Sequence, residues 1–366
     1  MTALHSGGGE KVTVDMMNYF SENGYEVLLA IMEMKGMHIA SLSPEIRIID
    51  LKTDRFSRAF FKCISFMRNE RPDTVFSSSV HFNVMMLASL FFSGISAKSI
   101  VRVGIPLSIL FDKFTSWKDR LIIPALTRFF YGKADAVVAN SYGIASDIAK
   151  VTGMKEENIK VIYNPKDIGA IKKMAESELP AVFKEHKGPF IVSAGRFTEQ
   201  KDYPTLIEAF ALVRNNIQAH LVLLGDGTVR QHITDMVNRL GISDHVSFEG
   251  NQMNPYVFMK NADVFVLPSR WEGLPNVIIE ALLCGAKVVA TDSPAGGSRE
   301  LLAPGTLERS YLKDVIEVAQ NGILVPVGNP EMLAKAILEA LVQQPFDLRL
   351  PDLSISHIAS EYEKLF

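Results

Sequence analysis

Two carboxylates stand eight positions apart in Arg270-Trp271-Glu272-Gly273-Leu274-Pro275-Asn276-Val277-Ile278-Ile279-Glu280-Ala281. The apolar run Val264–Leu267 ahead of them reads as a strand, so Glu272 falls on the loop that follows. A helix is expected to open near Leu274, with Pro275 at its first positions, where a missing N–H costs nothing. Unpaired amides at such a helix start, here around Gly273, Leu274 and Asn276, suit phosphate or sugar oxygens. One carboxylate on the loop and one on the helix can grip hydroxyl pairs on two different rings. Taken alone, Glu280 reads as a surface helix glutamate; in this setting it reads as a ligand group.

A second segment, Ser193-Ala194-Gly195-Arg196-Phe197-Thr198-Glu199-Gln200-Lys201-Asp202-Tyr203-Pro204, ends a strand, turns at Gly195 and presents two cations before a proline-started helix. Arg196 offers a planar fork and Lys201 a point charge, and together they can flank a diphosphate. The alternative is a pair of solvated loop cations. Arg196 has the stronger case, because it sits just past a strand's carboxyl end, where sheets of this kind bind ligands. A third segment, Gly7-Gly8-Gly9-Glu10, precedes a helix expected over Lys11–Glu22. Glycines there let backbone approach a phosphate, and a plain turn is the other reading.

These segments need a scaffold, and the chain supplies it twice. Short β-branched runs alternate with helical stretches: 25–31, 46–51, 74–78, 98–103, 136–139 and 160–162 in the front half, then 190–194, 220–224, 246–248, 264–267, 287–290 and 323–325. Helices are expected near 55–69, 83–93, 117–131, 142–152, 204–215, 228–240, 274–284 and 330–342. Continuous apolar strands separated by helices imply parallel sheets covered on both faces. The fold class is therefore α/β, with two doubly wound domains. Tyr163-Asn164-Pro165 marks the boundary, giving an N-terminal domain over 1–164 and a C-terminal domain over 165–353. A final amphipathic helix is expected over 354–366. Only Met1 to His5 precede the loop Ser6-Gly7-Gly8-Gly9, a stub for a central strand. The expectation is that the native reading frame extends upstream by several apolar residues.

Composition narrows the class. Of 366 residues 48% are hydrophobic, enough for two cores. The net charge of −3 gives no general attraction to nucleic acid. Residues 1–160 carry 19 Lys and Arg against 16 Asp and Glu, and the remainder 19 against 25. Two cysteines, Cys63 and Cys284, suit reduced core thiols and no disulfide framework. No leader or spanning run is read, so the expected location is cytoplasmic, with contact to the inner face of the cell membrane.

In these residues the chain resembles the family 4 retaining glycosyltransferases of the GT-B fold. The resemblance is carried by the Glu272-to-Glu280 spacing within Trp-Glu-Gly-Leu-Pro-Asn, by Gly195-Arg196 followed by Lys201, and by Leu224-Gly225-Asp226-Gly227. Gly296-Gly297-Ser298-Arg299-Glu300-Leu301-Leu302 adds to it, as do Gly-Gly-Gly-Glu-Lys-Val at 7–12 and Ala139-Asn140-Ser141. It implies two facing Rossmann-like domains with a ligand cleft between them, the C-terminal helix crossing back to the first. Glu280 would bind the ribose hydroxyls of a nucleotide, Glu272 the donor sugar, and the backbone at Gly273, Leu274, Pro275 and Asn276, through the amides it offers there, sugar or phosphate. Arg196 and Lys201 would bind the diphosphate, with Gly8 and Gly9 approaching from the other domain and Asn251, Gln252 and Met253 along the base. Neither cofactor nor metal is implied, because protein cations and helix ends stabilise the leaving diphosphate. No Asp-x-Asp motif or histidine cluster is present. Many members carry a histidine where this chain reads Val101-Arg102-Val103-Gly104-Ile105-Pro106-Leu107-Ser108; His81, after a different strand, is read as packed or solvent-facing.

The partners so implied are a nucleotide-sugar donor, UDP-sugar favoured, and a glycan or lipid-diphosphate acceptor. Residues 52–71 set Lys52, Arg55, Arg58, Lys62, Arg68 and Arg71 among Phe56, Phe60, Ile64 and Met67, the last four expected on one helical face. This stretch is either a sheet-covering helix or a surface for anionic lipid. Ile105 to Phe111 would add an apolar acceptor wall. Two rival functions are a non-catalytic nucleotide-sugar-binding subunit and a sugar-nucleotide epimerase of the same architecture.

Overall fold

The computed structural model describes residues 8–184, 188–307 and 311–366. The chain divides into two compact units, Met1–Lys166 with Asp352–Phe366, and Asp167–Pro351. The stub Met1 to His5 and Gly7 lie outside the described residues.

The first unit opens with α1 (Gly8–Glu22), β1 (Leu28–Ile31), β2 (Arg47–Asp50), α2 (Phe56–Glu70), β3 (Thr74–Ser78) and α3 (Val80–Ser93). It continues through β4 (Lys98–Val103), α4 (Leu107–Asp112), α5 (Trp117–Tyr131), β5 (Ala136–Ala139), α6 (Tyr142–Thr152) and β6 (Ile159–Val161). Among the described residues its strands form a parallel pair, β1 with β2, and a parallel sheet in the order β3-β4-β5-β6. The β5 run Ala-Val-Val-Ala is buried at every position, as a strand covered on both faces must be. Ser141 then caps α6 by accepting the Ile144 N–H at 3.2 Å.

The second unit runs α7 (Ile168–Ala175), α8 (Ala181–Lys184), β7 (Phe190–Ala194), α9 (Tyr203–Arg214), β8 (His220–Leu224), α10 (Arg230–Arg239) and β9 (Val246–Gly250). After these come α11 (Tyr256–Asn261), β10 (Val264–Leu267), α12 (Asn276–Leu283), β11 (Lys287–Thr291) and α13 (Gly297–Leu302). It ends with β12 (Glu317–Val318), β13 (Ile323–Val325) and α14 (Pro330–Val342). Its sheet has the order β12-β13-β11-β10-β7-β8-β9, parallel except for the edge strand β12. Asn329 caps α14 through the Met332 N–H at 2.9 Å, with Pro330 at the tolerant first position. The last helix, α15 (Ile355–Glu363), belongs to the first unit. Its Ile358, Ala359 and Tyr362 pack with Met16 of α1 on Ile100, Ala136, Val138 and Ile162.

Two expectations are corrected here, at the starts of α1 and α12, and the face of α2 is described beside them. Helix α1 opens at Gly8, so Gly8 and Gly9 lie in its first turn and not in a loop ahead of Lys11. First-turn amides have no intrahelical acceptor to lose, and Glu10 there complements the positive helix end. Helix α2 buries Ala59, Cys63 and Met67; Phe56, its first residue, stands on the same side, with its ring 5.2 Å from that of Phe82, and is 42% exposed. Helix α12 starts at Asn276, leaving Leu274 outside it and Pro275 as its cap residue.

Candidate functional site

Strand β7 is the first of its unit. The chain builds outward from it through β8 and β9 on one side, then returns to place β10, β11 and β13 on the other. The loops after β7 and β10 therefore leave the carboxyl edge side by side at the point where strand order reverses. Such a switch point opens a crevice for ligand.

The two loops are stitched together. The Arg270 N–H donates to the Gln200 carbonyl at 2.7 Å, and Gln200 Nε2 donates to the Trp271 carbonyl at 3.0 Å. The Arg270 guanidinium pairs with Asp202, Nε to Oδ2 at 3.2 Å. Asp202 is buried in the left-handed region at φ 45°, and its Oδ2 also accepts the Thr205 hydroxyl at 2.9 Å. Aspartate tolerates that backbone better than most residues. The β7 loop also interlocks with the one after β8. Gly225, at φ 135°, brings its backbone so close to Gly195 that an added Cβ would lie 2.0 Å from the Gly195 carbonyl oxygen.

This framework brings Lys201 and Glu272 together: Nζ to Oε1 is 2.5 Å, with the side chains 16% and 8% exposed. The stem of Lys201 lies over Gly195, and the Glu272 N–H reaches the Pro294 carbonyl at 3.3 Å. Arg196, on the same loop as Lys201, is exposed, with no side-chain ion pair or hydrogen bond among the described residues. The site thus holds a cation and an anion neutralising each other in a mostly dry setting, with a second cation facing solvent. An anionic ligand entering there would find two cations and a carboxylate it must partly displace.

Gly273, Leu274 and Pro275 are buried ahead of α12, and Asn276 is half-buried at its first position. Glu280 is half-buried one turn further along α12. Burial, and then the Glu280 charge, push the Cys284 thiol up to about 12, so this cysteine stays protonated and unreactive. Asn251, Gln252 and Met253 follow β9, two strands from β7, and are exposed; Gln252 Nε2 donates to the Glu249 carbonyl at 2.5 Å. Gly8 and Gly9 stand in the first unit. His81 is packed, its ring centroid 5.8 Å from Phe56 and 5.5 Å from Phe114, and burial lowers its pKa while Asp119 opposes the shift.

One cluster escaped the sequence reading. Arg299, on α13, is buried and holds both oxygens of buried Asp292, at 2.9 and 2.7 Å, and Glu317 Oε2 at 2.9 Å. These bonds fix α13 against the end of β11, and Gly297 at its start meets the backbone of Gly273. The arginine was visible within Gly-Gly-Ser-Arg-Glu-Leu-Leu, but a buried arginine reads as a surface one without its partners.

Two units built on parallel strands, with the loops after β7 and β10 knit together at a switch point of the second, define an α/β ligand-binding scaffold. The chain matches the model for glycosyl transferases group 1 over residues 175–351 and that for Glycosyltransferase Family 4 over residues 6–169. It belongs to the family 4 glycosyltransferases of the GT-B fold. It is similar to the lipopolysaccharide core biosynthesis glycosyltransferase LpsE of Rhizobium meliloti, at 28% identity over 98% of this chain and 92% of that one. It is also similar to the N-acetylgalactosamine-N,N'-diacetylbacillosaminyl-diphospho-undecaprenol 4-alpha-N-acetylgalactosaminyltransferase of Campylobacter jejuni, at 28% identity over 82% and 81%. Among solved structures, Anabaena HepE in complex with UDP superposes with a TM-score of 0.75 at 20% identity, over 100% of this chain and 99% of that one.

Proposed function

We propose that this glycosyltransferase moves a hexose-type sugar, with retention and without a metal, from a nucleotide-diphosphate sugar to a glycan or lipid-linked acceptor in cell-surface polysaccharide or glycolipid assembly. The observation that carries the reading is the Lys201–Glu272 pair beside exposed Arg196 at the switch point. Lys201 and Arg196 hold the diphosphate, and their charge takes the place a divalent cation would fill at the developing phosphate anion. Glu272, released from Lys201 as the diphosphate arrives, accepts donor-sugar hydroxyls. Amides around Gly273 to Asn276 add donors at the start of α12. As the bond from the anomeric carbon to the phosphate oxygen breaks, the acceptor oxygen bonds that carbon on the same face. Its proton passes to the departing phosphate. The UDP and UDP-glucose named in the HepE complexes favour a uridine donor, and the diphospho-undecaprenol of the Campylobacter relative's name favours a lipid-diphosphate acceptor. The site of action is then the inner face of the cell membrane, with the exposed Lys52, Arg55 and Arg58 of the 52–71 stretch near anionic headgroups.

The test is incubation with a panel of nucleotide sugars, following slow donor hydrolysis, then product configuration by NMR once a donor is found. An α-linked product from an α-donor, formed equally in EDTA, is expected. A β-linked product, or activity lost to EDTA and restored by a divalent metal, rejects the mechanism; no hydrolysis of any donor favours the non-catalytic subunit. Glu280 provides a separate check. Its replacement by Ala should weaken donor binding about ten- to hundredfold, since a charge-assisted hydrogen bond contributes about 1.5–3 kcal/mol. Donor titration of the variant measures this, and unchanged affinity removes Glu280 from the site.

A further inference from the structure

The first unit buries a guanidinium that has no carboxylate partner. Arg102, near the end of β4, is 3% exposed. Its Nη1 donates to Ser78 Oγ at 3.2 Å and its Nη2 to Asn164 Oδ1. Both acceptors are neutral, and Nε has no partner among the described residues. Arg102 forms no ion pair with a described residue, and residues 1–7 contain no Asp or Glu. Tyr362 of α15 faces the same group: burial raises its phenol pKa, and Arg102 opposes that shift. Arginine keeps its proton at any working pH, so the charge stays. A charge taken out of water is costly, and the usual remedy is a paired carboxylate. Arg299 has that remedy, with both oxygens of Asp292 bound to it. Arg102 does not.

The surroundings of Arg102 offer donors to something outside the protein. Side chains alternate along a strand, and Ile100, Val138 and Ile162 point to the α15 side of the sheet. Arg102, Gly104, Asn140 and Asn164 keep the same alternation at the carboxyl ends of β4, β5 and β6. A Cβ built on Gly104 would lie 3.3 Å from Asn140 Nδ2, and 3.5 and 3.8 Å from Arg102 Nη1 and Nη2. The backbone of Gly104 is not in the left-handed region, so the turn does not require glycine; what glycine leaves there is room. Gly104 is half-buried, so this room reaches solvent. Asn140 is 2% exposed, yet its Nδ2 has only the Gly104 carbonyl at 3.5 Å and its Oδ1 has no partner among the described residues. Three nitrogen donors, two of them charged, thus converge on the space that a side chain at 104 would fill. That is the chemistry of an oxyanion site.

We propose that Arg102, with Asn140 beside it over Gly104, binds an oxyanion, phosphate or carboxylate, and so selects an acceptor that carries one. The assignment to the acceptor rests on the transfer reading, in which Lys201 and Arg196 of the second unit serve the donor diphosphate. Nη1 and Nη2, the nitrogens nearest Gly104, form an edge that takes two oxygens of such a group through parallel N–H bonds. A lipid-linked diphosphate and the uronic acid of a glycan both present that group. A neutral glycan presents none.

Calorimetric titration tests the site apart from sugar transfer. UDP is added first, to occupy Lys201 and Arg196, and its own affinity reports on the transfer reading. Inorganic pyrophosphate and glucuronate are then titrated as the two anions, with glucose as the neutral control. Wild type is expected to bind one of the anions and no glucose; pyrophosphate points to the lipid diphosphate, glucuronate to the uronic acid. Arg102→Met and Gly104→Ala should bind that anion at least about tenfold more weakly, as loss of a charge-assisted hydrogen bond requires. Arg102→Lys keeps the charge without the fork and should recover only part of the affinity. Melting separates binding from packing. Arg102→Met removes a buried charge that has no counter-ion, so it should melt no lower than wild type, and the anion should raise the melting temperature of wild type alone. Should Arg102→Met melt far lower, Gly104→Ala decides, because it leaves the guanidinium and its bonds in place. Equal anion binding by wild type and Gly104→Ala, or no anion bound by wild type, overturns the proposal. So does a tenfold loss of UDP affinity in Arg102→Met with no anion bound over UDP, which would give the guanidinium to the donor. If UDP itself fails to bind, the transfer reading fails, and the same titration without UDP still decides Arg102.

Discussion

Lys201→Met should lower donor turnover at least a hundredfold and also destabilise the fold, and the two losses have different causes. The first is the loss of a cation where negative charge develops on the departing diphosphate; removing one such donor typically costs about 100- to 1000-fold in rate. The second arises because Glu272, 8% exposed, is left without its partner 2.5 Å away. Breaking a buried pair on one side costs about 3–5 kcal/mol, more than the pair itself contributes. Glu272→Gln separates the two effects, since the amide keeps the volume and removes the charge. In the K201M/E272Q double variant, much of the urea-unfolding stability should return while turnover stays low. Neighbours in direct contact are expected to be non-additive in this way. Recovery of turnover together with stability would reduce Lys201 to a counterion for Glu272 and remove it from the chemistry.

The strands at 74–78, 98–103, 136–139, 190–194, 220–224, 264–267 and 323–325 could be read to the residue; most are apolar runs bounded by polar or turn residues, while Thr74–Ser78 and Lys98–Val103 carry three polar residues each around a β-branched or aromatic centre. What escaped has physical reasons. Helices α4, α11 and α13 have six residues each, under two turns, too short for a 3.6-residue period to declare itself. In α13 every residue is buried, including Ser298, Arg299 and Glu300, so its polar sequence suggests the surface it does not occupy. Strand β12 has two residues and runs antiparallel, held by its partner β13 and not by its own pattern. The site was legible as a set of residue types after strand ends, and the pairing within it was not. Lys201 and Glu272 are 71 positions apart, and they meet because β10 returns to the side of β7 away from β8. Local pattern says that a strand exists; only the packed sheet says which strand is its neighbour. The exposed side of helix α5 was overlooked for a related reason. An apolar helix such as Trp117–Tyr131 reads as sheet-covering, and nothing local tells that one of its two apolar sides is left in solvent.

Gly297→Ala should be nearly as damaging to donor use as a change in the charged groups, although Gly297 carries no side chain. A Cβ there would stand 1.7 Å from the Gly273 carbonyl oxygen and 2.6 Å from its carbon, and 3.1 Å from Leu274 Cα. All three atoms are backbone, so no flexible side chain can turn aside; a helix or a loop must move. Helix α13 resists, because Arg299 ties it to Asp292 and Glu317 and the Glu300 N–H bonds the Gly296 carbonyl at 2.8 Å. The loop through Glu272 and Gly273 is the part that yields, and it carries a proposed sugar ligand and the amides before α12. A displacement on the order of 1 Å at reacting groups costs about a hundredfold in rate. Overpacking of this kind costs about 1–3 kcal/mol in stability. The expected result is a variant that melts somewhat lower, with donor turnover down by about ten- to hundredfold and a raised KM. Gly296→Ala is the control. At φ 66° its backbone is strained for alanine, yet the new Cβ would meet only a Leu307 methyl at 3.5 Å, ordinary contact. It should lower stability by about 1 kcal/mol and leave the Gly273 loop where it is. Equal kinetic losses in the two variants would show that α13 matters through stability alone; a loss confined to Gly297→Ala would show that this backbone contact sets the position of the loop.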